Sequence, residues 1–267
     1  MKFNIKHILG VMLLLISQGI TAQFYAGVQS GIGSIQSDIA TVQEGNCPGA
    51  AVKIGYIYSL NNHFGIGSGL EFSQYKQTIS LLASYSTLTN FEIDPSNSAF
   101  IYSVRSSNYK EKQTLHAIQI PFFVQYKTNI NKGIDFNFRA GAKYFLPVNY
   151  KIQVTADYVN GTAYYPDFNL TFDDLPQYGF GGQGTYSASG KYNTKGILMS
   201  SFELGFTFDM KGENALYAAM FFEKGYGSII DQNKNESYIG YNPTSVLQRK
   251  ANGLYSTDKN AKIQPIA

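Results

Sequence analysis

The chain has no tryptophan, one cysteine and three histidines, and only 15% of its residues are Asp, Glu, Lys or Arg. Each scarcity narrows the field. The lone Cys47 has no partner for an internal disulfide, so no covalent staple holds the fold, and its presence is compatible with an oxidising compartment. The charged fraction lies well below the roughly 25% usual for soluble domains. The formal net charge is +3. Removing Lys2 and Lys6 with an export signal leaves about +1, which gives no electrostatic case for nucleic acid. Past residue 22, no apolar run approaches the roughly 20 residues of a spanning helix.

What the chain does have is 21 Tyr, 19 Phe and 26 Gly. Its first residues read as an export signal. Lys2 and Lys6 form a positive n-region, Ile8 to Ile16 is an apolar stretch too short to span a bilayer, and Thr21-Ala22 offers small residues for cleavage before Gln23. The residue after that site is Gln23 and not a cysteine, so a lipoprotein anchor is not expected. Residues 1–22 are therefore the expected signal peptide, and 23–267 the mature domain.

Period-two alternation dominates the mature chain. Between Phe64 and Tyr75, Phe64, Ile66, Leu70 and Phe72 fall on one face, with Gly65, Gly67, Gly69 and Glu71 on the other. Similar alternation marks Phe24–Ile32, Ala50–Leu60, Leu115–Lys127, Ile134–Tyr144, Ile197–Met210 and Ala215–Gly225. Each of these seven stretches is near the ~9–11 residues a tilted membrane strand needs. A soluble sandwich or lipocalin-like barrel would also alternate, but its interior would be apolar. Here the face carrying Glu71, Arg139 and Glu203 is also the glycine-rich one, as suits a narrow polar lumen with lipid outside. Pro121 cannot donate to a ladder, so a mid-strand bulge is expected there.

The connections alternate in length. Short ones lie at 61–63, 129–133 and 211–214, and long ones near 34–49, 80–114, 158–195 and 230–262. Short periplasmic turns and long outer loops follow the barrel rule. An N-terminus held in the periplasm by the signal places every long connection outside.

The run Ile118-Gln119-Ile120-Pro121-Phe122-Phe123-Val124-Gln125-Tyr126-Lys127 resembles a central strand of the Bacteroidetes-type outer-membrane β-barrel domain family, an OmpA-like small barrel of the PorT-like group. Ile134–Leu146 and Leu216–Gly227 are similar to the following strand and to the strand before the last long loop. The resemblance implies an all-β fold: an antiparallel transmembrane up-and-down β-barrel on an eight-strand plan, in the cell outer membrane. It implies no catalytic residue. Such barrels usually finish on a strand ending in an aromatic residue, whereas here the segment Lys262–Ala267 stands where the closing strand begins. The expectation is thus a closing strand missing or incomplete, through truncation or through closure by another strand.

Lys53, Glu71, Arg139, Lys143, Glu203 and Glu223 all fall on inward positions, with Asp135, Lys127 and Asp209 nearer the periplasmic rim. The lumen of an eight-stranded barrel is filled by side chains. Charges buried there must pair, so the expected role is a structural salt-bridge network. A gated ion path is the alternative, and a wide pore would need around 16 strands. Catalysis is not expected. His63 sits in a turn and His116 at the outer end of its strand, and no serine or carboxylate spacing singles out a partner among candidates such as Ser73 or Ser103. The glycine cluster Gly179–Gly184 lacks the Lys-Ser/Thr of a phosphate loop and reads as a flexible outer loop. Asp167, Asp173 and Asp174 match no calcium-loop spacing. No cofactor is expected. The expected partners are outer-membrane lipid, the barrel-assembly machinery and a surface ligand held by loops rich in Tyr, Asn, Ser and Gly. A structural or surface-interaction role is the favoured function, with a narrow solute channel or a lipid-modifying enzyme as alternatives.

Overall fold

A computed structural model describes residues 22–82, 85–210, 214–232, 235–245 and 248–267. The expected signal peptide, up to residue 21, and most of the turn at 211–214 lie outside the described residues. In chain order the first strands are β1 (Ala22–Gln36), β2 (Val42–Glu44), β3 (Cys47–Ser59), β4 (Phe64–Leu81), β5 (Tyr85–Ile93) and β6 (Ala99–Ser107). Next come β7 (Lys110–Asn131), β8 (Ile134–Ala156), β9 (Tyr158–Tyr165), β10 (Leu170–Phe172), β11 (Gly181–Gln183) and β12 (Tyr186–Lys191). The last are β13 (Ile197–Asp209), β14 (Ala215–Tyr226), β15 (Ile239–Gly240), β16 (Lys250–Ala251) and β17 (Gln264–Ile266).

Eight of these close a ring, with neighbours β1-β3-β4-β7-β8-β13-β14-β17 and β17 returning to β1, every pairing antiparallel. The seven alternating stretches of the sequence are the seven long members. The eighth is β17, which enters between β14 and β1 but pairs with only three residues of β1. β17 occupies the closing position of the ring.

Outward positions carry the apolar stripe: Val52, Ile54, Phe72, Phe122, Phe202, Leu204 and Phe222 are all exposed on the outer wall. In water such a belt would be a liability, whereas lipid makes it the favoured surface. Below the belt the turns are tight. The Asn61 side-chain oxygen accepts the backbone N–H groups of His63 and Phe64 at 2.9 and 2.8 Å. Gly133 takes φ +77° in the turn between β7 and β8, a left-handed conformation that favours glycine.

The long strands continue past the belt. β4 runs six residues beyond Tyr75, while β7 begins five before Leu115 and β8 extends to Ala156. Their inner faces there are buried and mixed, with Gln77, Ile79, Glu111, Gln113, Ile152 and Val154. The long connections at 80–114 and 158–195 are therefore largely strand. Between β4 and β7, and between β8 and β13, the chain builds a second sheet in the order β10-β9-β6-β5, with β11 on β9. Its inner face supplies Phe100, Tyr102 and Tyr165, packed on Phe180 and Tyr241 with ring centroids 5.0 to 5.5 Å apart around Phe100 for Tyr165, Phe180 and Tyr241. The hydrophobic core of this protein thus lies outside the membrane, above the barrel.

Two expectations need correction. The cluster Gly179–Gly184 is not a flexible loop. Phe180 is buried, Gly181–Gln183 form β11, and Arg249 donates to the carbonyls of Gly181 and Gly179 at 2.7 and 3.5 Å. The aromatic core under it, invisible to a local composition argument, fixes its path. The bulge expected at Pro121 lies instead between His116 and Ala117, opposite β8. At Pro121 itself the β4–β7 register continues unshifted on both sides, and the Ser68 hydroxyl donates to the Pro121 carbonyl at 2.9 Å.

Candidate functional site

Strand parity aims the six expected lumen charges inward, and the stagger of the ring brings them to one level. Lys143 is 2% exposed and its ammonium lies between two carboxylates, 2.7 Å from Glu71 and 2.6 Å from Glu223. Glu203 receives Lys53 at 3.0 Å on one oxygen and Arg139 at 3.3 Å on the other. Gln29 links the two groups, accepting from Lys53 at 3.2 Å and donating to Glu223 at 3.1 Å. Three cations thus face three anions. This balance is what a lumen screened from water requires, since each unpaired buried charge is far too costly.

Residues that sequence reasoning passed over complete the arrangement. The Arg139 guanidinium stacks over Tyr217 at 4.0 Å and Phe123 at 5.2 Å from the ring centroids, contacts in which the ring faces attract the cation. Its Nε donates to Gln125 at 2.8 Å. The Tyr217 hydroxyl donates to Glu203 at 3.3 Å. Parity alone would have placed Gln29, Phe123, Gln125 and Tyr217 inward, but neutral side chains carry no charge signal to single them out. The space left beside Tyr25, Lys53, Glu71 and Arg139 is about 20 Å³, room for about one water. Of the rim charges, Lys127 and Asp135 pair at 2.7 Å, while Asp209 is exposed.

A second polar centre, absent from the sequence reading, sits above the belt. Glu111 is fully buried and, among the described residues, makes no salt bridge. Its carboxylate instead accepts from the hydroxyls of Tyr192 (2.6 Å) and Tyr109 (3.0 Å), the Gln113 amide (2.7 Å) and the Leu254 backbone N–H (2.8 Å). Burial pushes its carboxyl above the ordinary value near 4.5 despite these four donors. Burial, with the Glu111 carboxylate second, also pushes the Tyr109 and Tyr192 hydroxyls well up. This centre ties β7 to the residue that follows β12 and to the segment after β16. Extending the parity of Leu115 and Ala117 upward through Gln113 would have found it.

Among the described residues, His63 and His116 do not meet a nucleophile. His116 lies half-buried with its Nε2 2.7 Å from the Gln74 amide, stacked on Phe72 at 6.1 Å. Ser73 is buried on the opposite face, against the Ala117 carbonyl and the Gln119 amide. His63 lies in its turn with Nδ1 3.1 Å from the Lys127 carbonyl.

An antiparallel eight-membered ring with an apolar outer wall, a lumen of paired charges and short turns at one end defines the class: this is a transmembrane β-barrel of the outer membrane. The family of outer membrane protein beta-barrel domains matches residues 16–208. The chain belongs to that family. No curated protein and no solved structure matches it.

Proposed function

We propose that this outer-membrane protein is a surface platform. Its barrel anchors it, its lumen charges are a structural plug, and its outer sheet makes contact with a partner at the cell surface. The observation that carries the reading is a row of apolar side chains on the open face of the outer sheet. Phe91 of β5 pairs with Ile101 of β6, which pairs with Tyr164 of β9. Phe91 is 71% exposed and neighbouring Ile93 55%. The opposite face of the same sheet is buried in the aromatic core, so the row is held rigidly and points away from the barrel. Contiguous apolar surface of this kind marks interaction sites.

The reading is of a non-conducting and non-catalytic protein. It is supported by the two carboxylates on Lys143, the two cations on Glu203, and the separation of Ser73 from His116 by the strand itself. Within the family, we place it with the OmpA-like small barrels of the Bacteroidetes PorT-like group. The support is the Ile120-Pro121 pair in β7, followed across the turn by the Ala140-Gly141 strand.

Two measurements test this. In planar bilayers the refolded full chain gives no discrete conductance steps, and reproducible steps would overturn the plug in favour of a channel. Cells displaying the full chain partition more into hexadecane droplets than cells displaying the triple variant Phe91→Ser, Ile93→Ser, Tyr164→Ser at equal surface amount. Equal partition would remove the contact face.

A further inference from the structure

A polar groove opens on the outer half, lined by none of β5, β6 and β9, which carry the apolar row. One wall is β12 and the other is the segment from Gln248 through β16 to Asn252. The space they enclose is about 690 Å³, within the ~300–1,000 Å³ of small-ligand sites. β12 pairs with β8 from Lys151 to Ala156, whereas Val148 is the last exposed apolar side chain of β8. The groove therefore starts about three residues, or ~10 Å of strand, beyond the belt. At those levels the outward residues of β8 are Lys151, Gln153 and Thr155, so water and headgroups surround it rather than hydrocarbon.

Both walls alternate. Ser187 and Ser189 lie on the exposed side of β12, and Gln248 and Lys250 are exposed on the facing segment. Among the described residues, these four side chains make no hydrogen bond or salt bridge within the protein. The walls come together at Gly190, where a Cβ would collide with the Ala251 carbonyl. Backbone thus meets backbone at that point, and the polar side chains stand clear of it.

The charge of the groove has one sign. Arg249 and Lys250 line it, and among the described residues no Asp or Glu does. The sequence has no acid between Asp174 and Glu203 or between Glu236 and Asp258, and these two stretches supply both walls. Arg249 donates to neutral acceptors: the Tyr102 hydroxyl at 3.2 Å, the Gln183 side chain at 2.9 Å, and the Gly181 and Gly179 carbonyls at 2.7 and 3.5 Å. These contacts fix the guanidinium and leave its charge without a counterion. Asp174 approaches Gly181 but forms no salt bridge, and neither do Arg249 and Lys250, among the described residues.

We propose that this groove binds an acidic saccharide at the cell surface. Lys250 holds the carboxylate or phosphate of the sugar in the field of the fixed Arg249. Ser187, Ser189 and the Gln248 amide meet its hydroxyl groups, since hydroxyl and amide side chains both donate and accept. A nucleotide is a poorer match. The one ring in the lining, Tyr186, is 3% exposed with its hydroxyl on the Arg249 carbonyl at 3.2 Å, so no open ring face is left for a base to stack on. The groove and the apolar row are separate surfaces, and either reading can fail alone.

The test is isothermal titration of the full chain in phosphatidylcholine vesicles with tetragalacturonate, against neutral galactotetraose of the same length. Saturable binding of the acidic saccharide is expected, about tenfold or more tighter than the neutral one, as a charge-assisted contact implies. Lys250→Met should weaken it about three- to tenfold. Ser189→Asp should weaken it as well and Ser189→Lys should tighten it, which keeps the test decisive if Lys250→Met folds poorly. Lys76→Met, at an exposed lysine of β4 outside the groove, should leave it unchanged. The heat-dependent shift in gel mobility checks that each variant is folded. No saturable binding, equal affinity for galactotetraose, or an equal loss in Lys76→Met overturns the proposal. Inorganic phosphate or hexaglutamate binding as tightly as tetragalacturonate also overturns it, because the groove is then a general anion patch. Vesicles doped with a galacturonosyl glycolipid separate the two sources of such a sugar. Displacement of the soluble saccharide in the wild type but not in Lys250→Met supports the site with a lipid-borne ligand, and an unchanged titration supports it with a soluble one.

Discussion

Replacing Lys143 with methionine removes the one cation shared by Glu71 and Glu223 and leaves the lumen with two cations against three carboxylates. The side chain is 2% exposed and both carboxylates are buried with it, so water cannot take over the lost contacts without opening the barrel. Removing one partner of a buried ion pair costs about 3–5 kcal/mol. The expected loss is at least that, because one deletion orphans two acceptors and Glu223 already has one oxygen without a hydrogen-bond partner. Neutralising an orphan should return part of it, so Lys143→Met with Glu223→Gln unfolds later than Lys143→Met alone. The assay is equilibrium urea unfolding in lipid vesicles, read by the heat-dependent shift in gel mobility of the folded barrel. Lys127→Met, at the partly exposed rim pair with Asp135, is the control, and should cost no more than about 1 kcal/mol. A Lys143→Met loss no larger than this control, or no recovery in the double variant, would refute a dry, charge-balanced lumen.

Other expectations follow from the same structure. Glu111→Ala leaves two tyrosine hydroxyls, an amide and a backbone N–H without their acceptor, at about 1–3 kcal/mol for each buried group left unsatisfied; thermal unfolding of the outer half should shift downward while the barrel band persists. The raised carboxyl of Glu111 means the folded state holds its proton more tightly than the unfolded state does. Its stabilisation is therefore full below about pH 4.5 and is lost as pH rises through the folded value, and Glu111→Gln should flatten that slope in melts taken across pH. Arg249→Ala frees the Gly179 and Gly181 carbonyls, the Gln183 side chain and the Tyr102 hydroxyl; protease should then cut near residues 173–185 with the barrel intact. Gly141→Ala would drive a Cβ into the Phe122 carbonyl and the Phe123 backbone of the neighbouring strand, costing about 1–3 kcal/mol in the same urea assay.

Much of the barrel is legible in the residues because membrane strands follow a strict rule. Period two, with lipid on one side, fixes both the element and the direction of each side chain, which is why Lys53 and Glu203 meet from positions 150 residues apart. The outer half is less legible. Its strands obey the same parity, but their two faces meet water and an aromatic core rather than lipid and charge, so Tyr102, Tyr165 and Tyr241 look like ordinary loop residues. Gly179–Gly184 reads as flexible by composition, and only its contact with Phe100 and Arg249 gives it a fixed path. Glu111 illustrates the limit from the other side. A carboxylate near a loop is ordinarily solvated, and nothing local announces that Tyr192, 81 residues away, donates to it.

The absence of tryptophan allows a direct test of which face meets lipid. Leu204→Trp places a single fluorophore on the outer wall of β13, and Tyr217→Trp places one on the inner wall of β14 against Arg139. In vesicles of brominated lipid, the tryptophan at 204 should be strongly quenched and the one at 217 should keep most of its emission. Equal quenching, or the reverse order, would contradict a barrel with an apolar wall outside and its charges within.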